Sequence, residues 1–474
     1  MQNLKQRLRP YCFRIRSHVH VVGGSLEELI PPISYVTSSG PKLARYIKRL
    51  SVYLSESKEL DDAASASISD PKVRKRRKDV RLFNRLFVDA IPLMVSLQSL
   101  SLSSTDASAP ADARLMFERF SDLPHLSKLE ICSYGSWSIP CAQFRRIQDL
   151  DYEGPGSEDF LALLRNNPNL ESIRADVWPP CIPELEEGSS IFSIFRSFPP
   201  GTYSNVKKLT VSGRLDDILQ TYKVPLILPH LRLLQSLHTY FPVPDQLWNG
   251  LREEGIHLTA LGYCCRSVKL ALLSYLGSYT GLRELELQIQ RLSEQDNVHL
   301  EYLLSNVITP NAAYLTKVHI APITSGTWCL DHHMLDTLAL CCSLKSIYLC
   351  ADKSRARVQP PNNVIDRMMT SLMDYWPHLS NLRIRAVSRS VGFLAVRSTL
   401  NQIHNRVLAA RFARPSTDML GTSIETDFAM YSMKLRSRRK QIYAFKIKEL
   451  MYYGEKECRR KLRFWRRSDP SDEE

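Results

Sequence analysis

No stretch of the 474 residues approaches the ~18–20 consecutive apolar residues that a helical membrane span requires. There is no C-x-x-C pair, and the eleven cysteines (12, 132, 141, 181, 264, 265, 329, 341, 342, 350 and 458) are odd in number and irregular in spacing. That pattern excludes a disulfide framework. Cys341, Cys342 and Cys350 lie near His332 and His333, but adjacent cysteines fit one tetrahedral site poorly, so buried reduced thiols are expected and neither a metal nor a cofactor. No G-x-G-x-x-G or G-x-x-x-x-G-K-[ST] follows any apolar segment, so a nucleotide-binding sheet would lack its phosphate loop. G-x-S-x-G and H-E-x-x-H are missing too, and "GSYTG" (277–281) puts Tyr279 where a nucleophilic serine would be needed. The acidic pairs Glu186-Glu187 and Glu253-Glu254 sit in polar, turn-like contexts and read as solvated. The expectation is a protein that is not an enzyme. No asparagine opens an N-x-S/T sequon, which fits an intracellular protein. No acid precedes Glu27, and the Arg-rich start has no apolar signal core, which leaves a mitochondrial presequence as an alternative address.

What is present begins with charge. The formal net charge is +14, and its distribution is uneven. Residues 1–20 carry five basic and no acidic side chains, residues 71–81 seven and one, and residues 434–474 fourteen and seven. The rest of the chain is therefore mildly acidic, which argues against a nucleic-acid surface spread over a whole domain.

A short phrase recurs. "LPHLSKLEI" (123–131) and "WPHLSNLRI" (376–384) share six of nine positions. The pattern L-x-x-L-x-L, with other apolar residues allowed, appears at 47–52, 97–102, 126–131, 147–152, 170–175, 206–211, 258–263, 282–287, 315–320, 344–349 and 379–384, with a degenerate "LQSLHT" at 234–239. The spacing overlaps the ~20–29-residue period of leucine-rich repeats with insertions. Between copies lie helical signals. Ile365, Met368, Met369, Leu372 and Trp376 share one helical face. Ser157 is a candidate N-cap, with Glu158 and Asp159 in the first turn. Pro124, Pro168, Pro229 and Pro377 each stand just ahead of a strand, where proline ends the preceding helix. Each unit reads as helix, stop, short strand, and stacked units must share one core. An ordinary parallel α/β domain is the alternative.

The P-x-L-x-x-L-x-L phrasing, the irregular spacing and "GPKLARYIKRLSVYL" (40–54) resemble leucine-rich-repeat proteins of the fungal F-box type over roughly residues 20–400. The resemblance implies an α/β leucine-rich-repeat solenoid (horseshoe) that serves as a receptor, which an F-box docks onto a cullin-RING ubiquitin ligase. The F-box itself is not evident: no L-P-x-E phrase precedes residue 40, and "LEELIPPI" (26–33) has its prolines misplaced. The Asn or Cys of the family's convex turns is replaced, for example by Thr105, Tyr134 and Arg214. The expected layout is a basic N-terminal segment (1–40), an irregular repeat array (41–398) with a basic loop about 61–81, a connecting or capping segment (399–433), and a basic helical C-terminal tail (434–474).

Strand alternation turns the third, fifth and seventh positions of each phrase to the face opposite the leucines. Those slots hold Asp149, Asp151 and Glu153, then Arg174 and Asp176, with Trp178 two residues on, then Glu284 and Glu286, and finally Lys317, His319, Arg383 and Arg385. They are the candidate partner-binding residues for a protein or peptide ligand, on a face expected to run from acidic to basic. Like charges side by side on a strand, as at Asp149-Asp151-Glu153, are destabilising, so that run needs a reason. The run Lys72, Arg74, Lys75, Arg76, Arg77, Lys78 has the composition of a nuclear-import signal read by an importin, or of a nucleic-acid patch. Tyr443, Ile447, Leu450 and Met451 fall at helical spacing and predict an amphipathic tail helix, able to cap the array. The expected location is the nucleus, the cytoplasm or both, and a nucleic-acid-associated protein acting through the loop and tail is the alternative to a receptor.

Overall fold

The computed structural model describes residues 18–21, 34, 37, 44–54, 71–104, 113–133, 139–178, 194–195, 198, 201–212, 224–291, 293, 295–359, 362–387, 393–410, 412–413, 423–426, 429–437 and 442–450. The chain forms two compact units, Met1–Ser236 and Leu237–Glu474.

In the first unit, seven strands pair in sequence order and all in parallel: β1 (His18–Val21), β2 (Arg49–Leu54), β3 (Ser99–Ser104), β4 (Lys128–Ser133), β5 (Asp149–Pro155), β6 (Ser172–Trp178) and β7 (Lys208–Ser212). β8 (Ser236–Thr239) starts on the last residue of the first unit, and the second unit contains β9 (Ala260–Cys265), β10 (Glu284–Ile289), β11 (Lys317–Pro322), β12 (Ser346–Asp352) and β13 (Asn381–Val387), which form a parallel ladder. The short β14 (Phe412–Ala413) precedes β15 (Ser423–Thr426), which adds to β13 in parallel. β16 (Ala429–Ser437) and β17 (Ile442–Leu450) then continue antiparallel. This is an α/β protein with parallel sheet and intervening helices, compatible with a solenoid-like arrangement.

Each strand from β2 to β13 starts at the third position of a predicted phrase. The leucine positions supply the core: Leu282, Leu285 and Leu287, for example, are fully buried. Each such side chain contributes about 1.5–3 kcal/mol by leaving water. The second position of the phrase does a separate job with its backbone. The carbonyl of Gln98 accepts N–H bonds from both Ser127 and Lys128, and that of Ser127 from Gln148 and Asp149. The same fork recurs at Thr316, which receives Lys345 and Ser346, and at Lys345, which receives Ser380 and Asn381. One unit's lead-in is thereby tied to the next at a fixed register.

The helix start predicted at Ser157 is observed, whereas Pro229, expected to end a helix, lies inside the helix Val224–Leu231. Ser157 accepts the Phe160 N–H at 3.2 Å and caps Glu158–Asn166, and Asn363 accepts from Ile365 and Asp366 to open Val364–Tyr375. Two buried asparagines join neighbouring units. Asn167 Oδ1 accepts the Ile147 N–H (2.8 Å), while its Nδ2 donates to the Phe144 and Leu163 carbonyls. Asn311 repeats the arrangement, accepting from Gly281 and Leu282 (2.8 and 2.9 Å) and donating to Val307. In each case a side chain at the end of one helix satisfies the backbone at the start of the preceding strand phrase.

Four further expectations are corrected. The basic loop about 61–81 is, over its described part, the start of the helix Pro71–Ala90. Lys and Arg are good helix formers, Pro71 suits a first turn, and Leu86, Phe87 and Ala90 recur at helical spacing, with Phe87 and Ala90 buried. Residues 61–70 lie outside the described residues. The N-terminal segment is not merely an appendage, because His18–Val21 joins the ladder. The parallel strands do not stop at 398: after the helix Phe393–Ala409, β15 pairs with β13 inside the predicted connecting segment. The tail is a hairpin rather than a helix over 429–450. Tyr443, Phe445 and Ile447 also alternate at period two, as do Tyr431, Met433 and Leu435, and paired alternating segments rich in aromatic and branched residues favour strand. Residues 451–474 lie outside the described residues.

Candidate functional site: the polar face of the parallel strands

In the first unit the candidate side chains sit across β4, β5 and β6, on the face opposite the leucines. Register places Lys128 beside Asp149, Glu130 beside Asp151, and Asp151 beside Arg174. Lys128 Nζ lies 3.0 Å from Asp149, and Arg174 lies 3.6 Å from Asp151. Cys132 donates its thiol to Glu153 at 3.1 Å. The acidic run therefore rests on cross-strand cations and a thiol donor, which lowers the cost of like charges along one strand. Burial, assisted by Glu130, still pushes the Asp151 carboxyl above its ordinary range, against the pull of Arg174. Asp176 stands beside Glu153 in register. Trp178 closes β6, and its side chain lies outside the described residues.

The second unit concentrates its candidates more tightly. Glu286, His319, Tyr348, Arg383 and Glu425 occupy one register row across β10, β11, β12, β13 and β15. They line a pocket of about 220 Å³, with Gln288, Ala321 and Asn381. Lys317 pairs with Glu286, and His319 Nδ1 stands 3.8 Å from the same carboxylate. His319 Nε2 is 3.0 Å from Ser346 Oγ, and its ring meets Tyr348 edge-on at 5.6 Å. Arg383 lies over the Tyr348 ring, 4.8 Å from its centroid, and 3.4 Å from Glu425. Such stacking is a cation–π contact. Burial, assisted by Cys350, raises the pKa of the Tyr348 phenol, against the pull of Arg385, which reaches its hydroxyl, and of Arg383. Glu284 stands two residues from Glu286 on the same strand face. Acid and base are thus interleaved here, and the expected basic C-terminal end is half neutralised by Glu286 and Glu425.

Burial holds His319 down to about 4, helped by the nearby cations Lys317 and Arg383 and opposed by Glu286. Burial alone does the same to His404, also to about 4. Both imidazoles are therefore neutral in the folded protein at pH 5–7, whereas the unfolded chain protonates them near pH 6.5. Between these values the unfolded state binds more protons, so stability rises with pH. Stability should be at its full value above pH 6.5 and fall steadily as pH drops toward 4. Urea midpoints across that range check this, and His404→Gln should flatten the slope.

The phrase slots led directly to Glu286, His319 and Arg383. Tyr348 occupies the same fifth slot in "LKSIYL" and could have been found by the same rule. Glu425 could not, because β15 carries no phrase of this kind. His238 is a further member: it overlies Gly262, where an added Cβ would lie 2.0 Å from its Nδ1, and burial lowers its pKa. The pair His332-His333 does not converge. His332 Nε2 meets the Asn362 carbonyl at 3.0 Å while His333 lies 3.0 Å from Glu301. Cys341 and Cys350 are buried thiols, as expected, but Cys342 is exposed. Among the described residues no group of His, Cys, Asp and Glu is placed to hold a metal ion, and no helix is long and apolar enough to cross a membrane. In comparisons with known proteins, no family model and no curated protein matches the chain.

Proposed function

We propose that the protein is a non-catalytic receptor that takes a polypeptide ligand on the polar strand face of a leucine-rich-repeat horseshoe. The observation that supports it best is the row Glu286–His319–Tyr348–Arg383–Glu425 with its pocket. Tyrosine and arginine dominate binding energy at protein interfaces, and here each is held by its neighbours before a ligand arrives. The acid-rich row of the first unit, Asp149, Asp151, Glu153 and Asp176, offers basic segments of a ligand complementary charge. The irregular repeats support a relation to fungal F-box proteins, with a role as substrate-recognition subunit of a cullin-RING ligase. Affinity purification with mass spectrometry tests both readings: ligase subunits should be recovered, and their consistent absence would remove the ubiquitin reading alone.

Arg383→Lys probes the receptor reading by itself. Lysine keeps the charge beside Glu425 but loses the planar stacking on Tyr348. Recovery of the bound polypeptides should fall roughly tenfold, with stability changed by less than about 1 kcal/mol because the ion pair is partly exposed. An unchanged set of recovered polypeptides would count against the strand face.

The protein is further proposed to divide between nucleus and cytoplasm, with Lys72, Arg74, Lys75, Arg76, Arg77 and Lys78 as the importin-read segment. Alanine at Arg74, Lys75, Arg76 and Arg77 should move a fluorescent fusion to the cytoplasm. A fusion that stays nuclear would transfer the address to Arg436–Lys440.

A further inference from the structure

The helix Pro71–Ala90 has a second surface that the import run does not account for. Lys75, Lys78, Arg81 and Arg85 are all exposed, together with Leu82. At 100° per residue these positions fall within roughly one third of the helix circumference, and Lys75 to Arg85 spans about 15 Å along the axis. The other side is anchored, with Phe87 and Ala90 buried and Phe87 packed edge-on against Phe120 at 6.1 Å. The four cations are thus exposed on a helix whose last turns are anchored in the core.

The arrangement is costly for the isolated protein. The first turn of the helix contains no acidic residue, so its positive end faces a basic run. Arg81 and Arg85 are like charges at i,i+4, a spacing that destabilises a helix. A polyanion relieves both costs. The surface also discriminates among polyanions. Among its described residues Phe87, Val88 and Ala90 are buried and Leu82 is the one exposed large apolar side chain, whereas a membrane-surface helix needs a free apolar face. None of the five exposed residues is aromatic, so the anchors typical of a protein interface are missing there. A regular array of phosphates needs neither.

We propose that Lys75, Lys78, Arg81 and Arg85 form a docking face for the phosphodiester backbone of a nucleic-acid duplex, without regard to base sequence. This is independent of the strand-face reading, and Arg81 and Arg85 lie outside the import run. The test is fluorescence anisotropy of the full chain with a labelled 20-base-pair DNA duplex of arbitrary sequence, between 50 and 200 mM salt. Each phosphate contact contributes about 0.9 to the slope of log Kobs against log salt. Replacing all four residues by alanine should reduce that slope by about 3 to 4 and weaken binding at least tenfold at 100 mM salt. Arg81→Ala with Arg85→Ala alone should remove about half of the slope change. Lys75→Arg with Lys78→Arg should bind like the wild type, which separates lost charge from any loss of fold. The proposal is overturned if the wild-type chain does not bind the duplex, if the quadruple variant keeps its slope, or if only phosphatidylserine vesicles show the dependence on these four residues.

Discussion

Trp376→Ala is expected to cost the second unit about 3–5 kcal/mol, the usual range for removing a fully buried aromatic side chain. Trp376 ends the helix Val364–Tyr375, is wholly buried, and donates its indole N–H to the Leu338 carbonyl at 2.9 Å. Leu338 belongs to the preceding helix, His332–Ala339. One side chain therefore fills the space under a helix end and ties it to its neighbour. Trp376→Phe separates the two contributions: it restores most of the volume but strands a carbonyl, and should cost about 1–2 kcal/mol. Urea unfolding followed by far-UV circular dichroism checks both variants. If alanine and phenylalanine cost the same, the hydrogen bond rather than the packing carries the effect.

Asn311→Ala should destabilise by about 2–4 kcal/mol although it removes only a small polar side chain. Three hydrogen bonds go at once, and the Leu282 N–H is left buried without its acceptor, which costs more than the bonds themselves contribute. Gly281 has φ +103 at this turn, so the backbone cannot readily be rebuilt around the loss. Asn167→Ala should behave alike in the first unit, since its three bonds repeat the pattern. Asn306 is exposed and its side chain donates to its neighbour Ser305, so Asn306→Ala should change stability by less than about 0.5 kcal/mol. Equal effects at 306 and 311 would contradict the stapling role.

The strands were legible because their leucines point to a shared core, and a leucine needed at every unit leaves the same mark at every unit. "LSKLEI" and "LSNLRI" become β4 and β13 with the same offset. His18–Val21 and Ser423–Thr426 left no such mark. Each is a short strand whose place depends on a neighbour already formed, so its own residues need not carry the phrase. The basic helix was misread because charge density says where water is, not what the backbone does, and Phe87 settles that question from the far end of the segment. The tail was ambiguous for a different reason: Tyr443 and Ile447 fit period 3.6, while Tyr443, Phe445 and Ile447 fit period two, and only the pairing of Leu435 with Tyr443 decides between them. The stapling asparagines were within reach, since "NNPNL" and "TPNAAYL" place Asn just ahead of the next phrase. Their partners lie twenty to thirty positions earlier, where nothing local announces an unmet N–H. At the candidate site, slot arithmetic gave the row but not its pairing, because pairing depends on which strands lie side by side.

The central claim is that the polypeptide ligand is held on the strand face and not on the helices. A photo-crosslinking residue placed at Tyr348, in the pocket, and separately at Asp374, exposed on the helix Val364–Tyr375, tests it in the intact chain. Position 348 should yield polypeptide adducts that disappear when Arg383→Ala is added, and position 374 should yield none above background. Adducts of equal yield at both positions, or adducts at 348 indifferent to Arg383, would contradict the account.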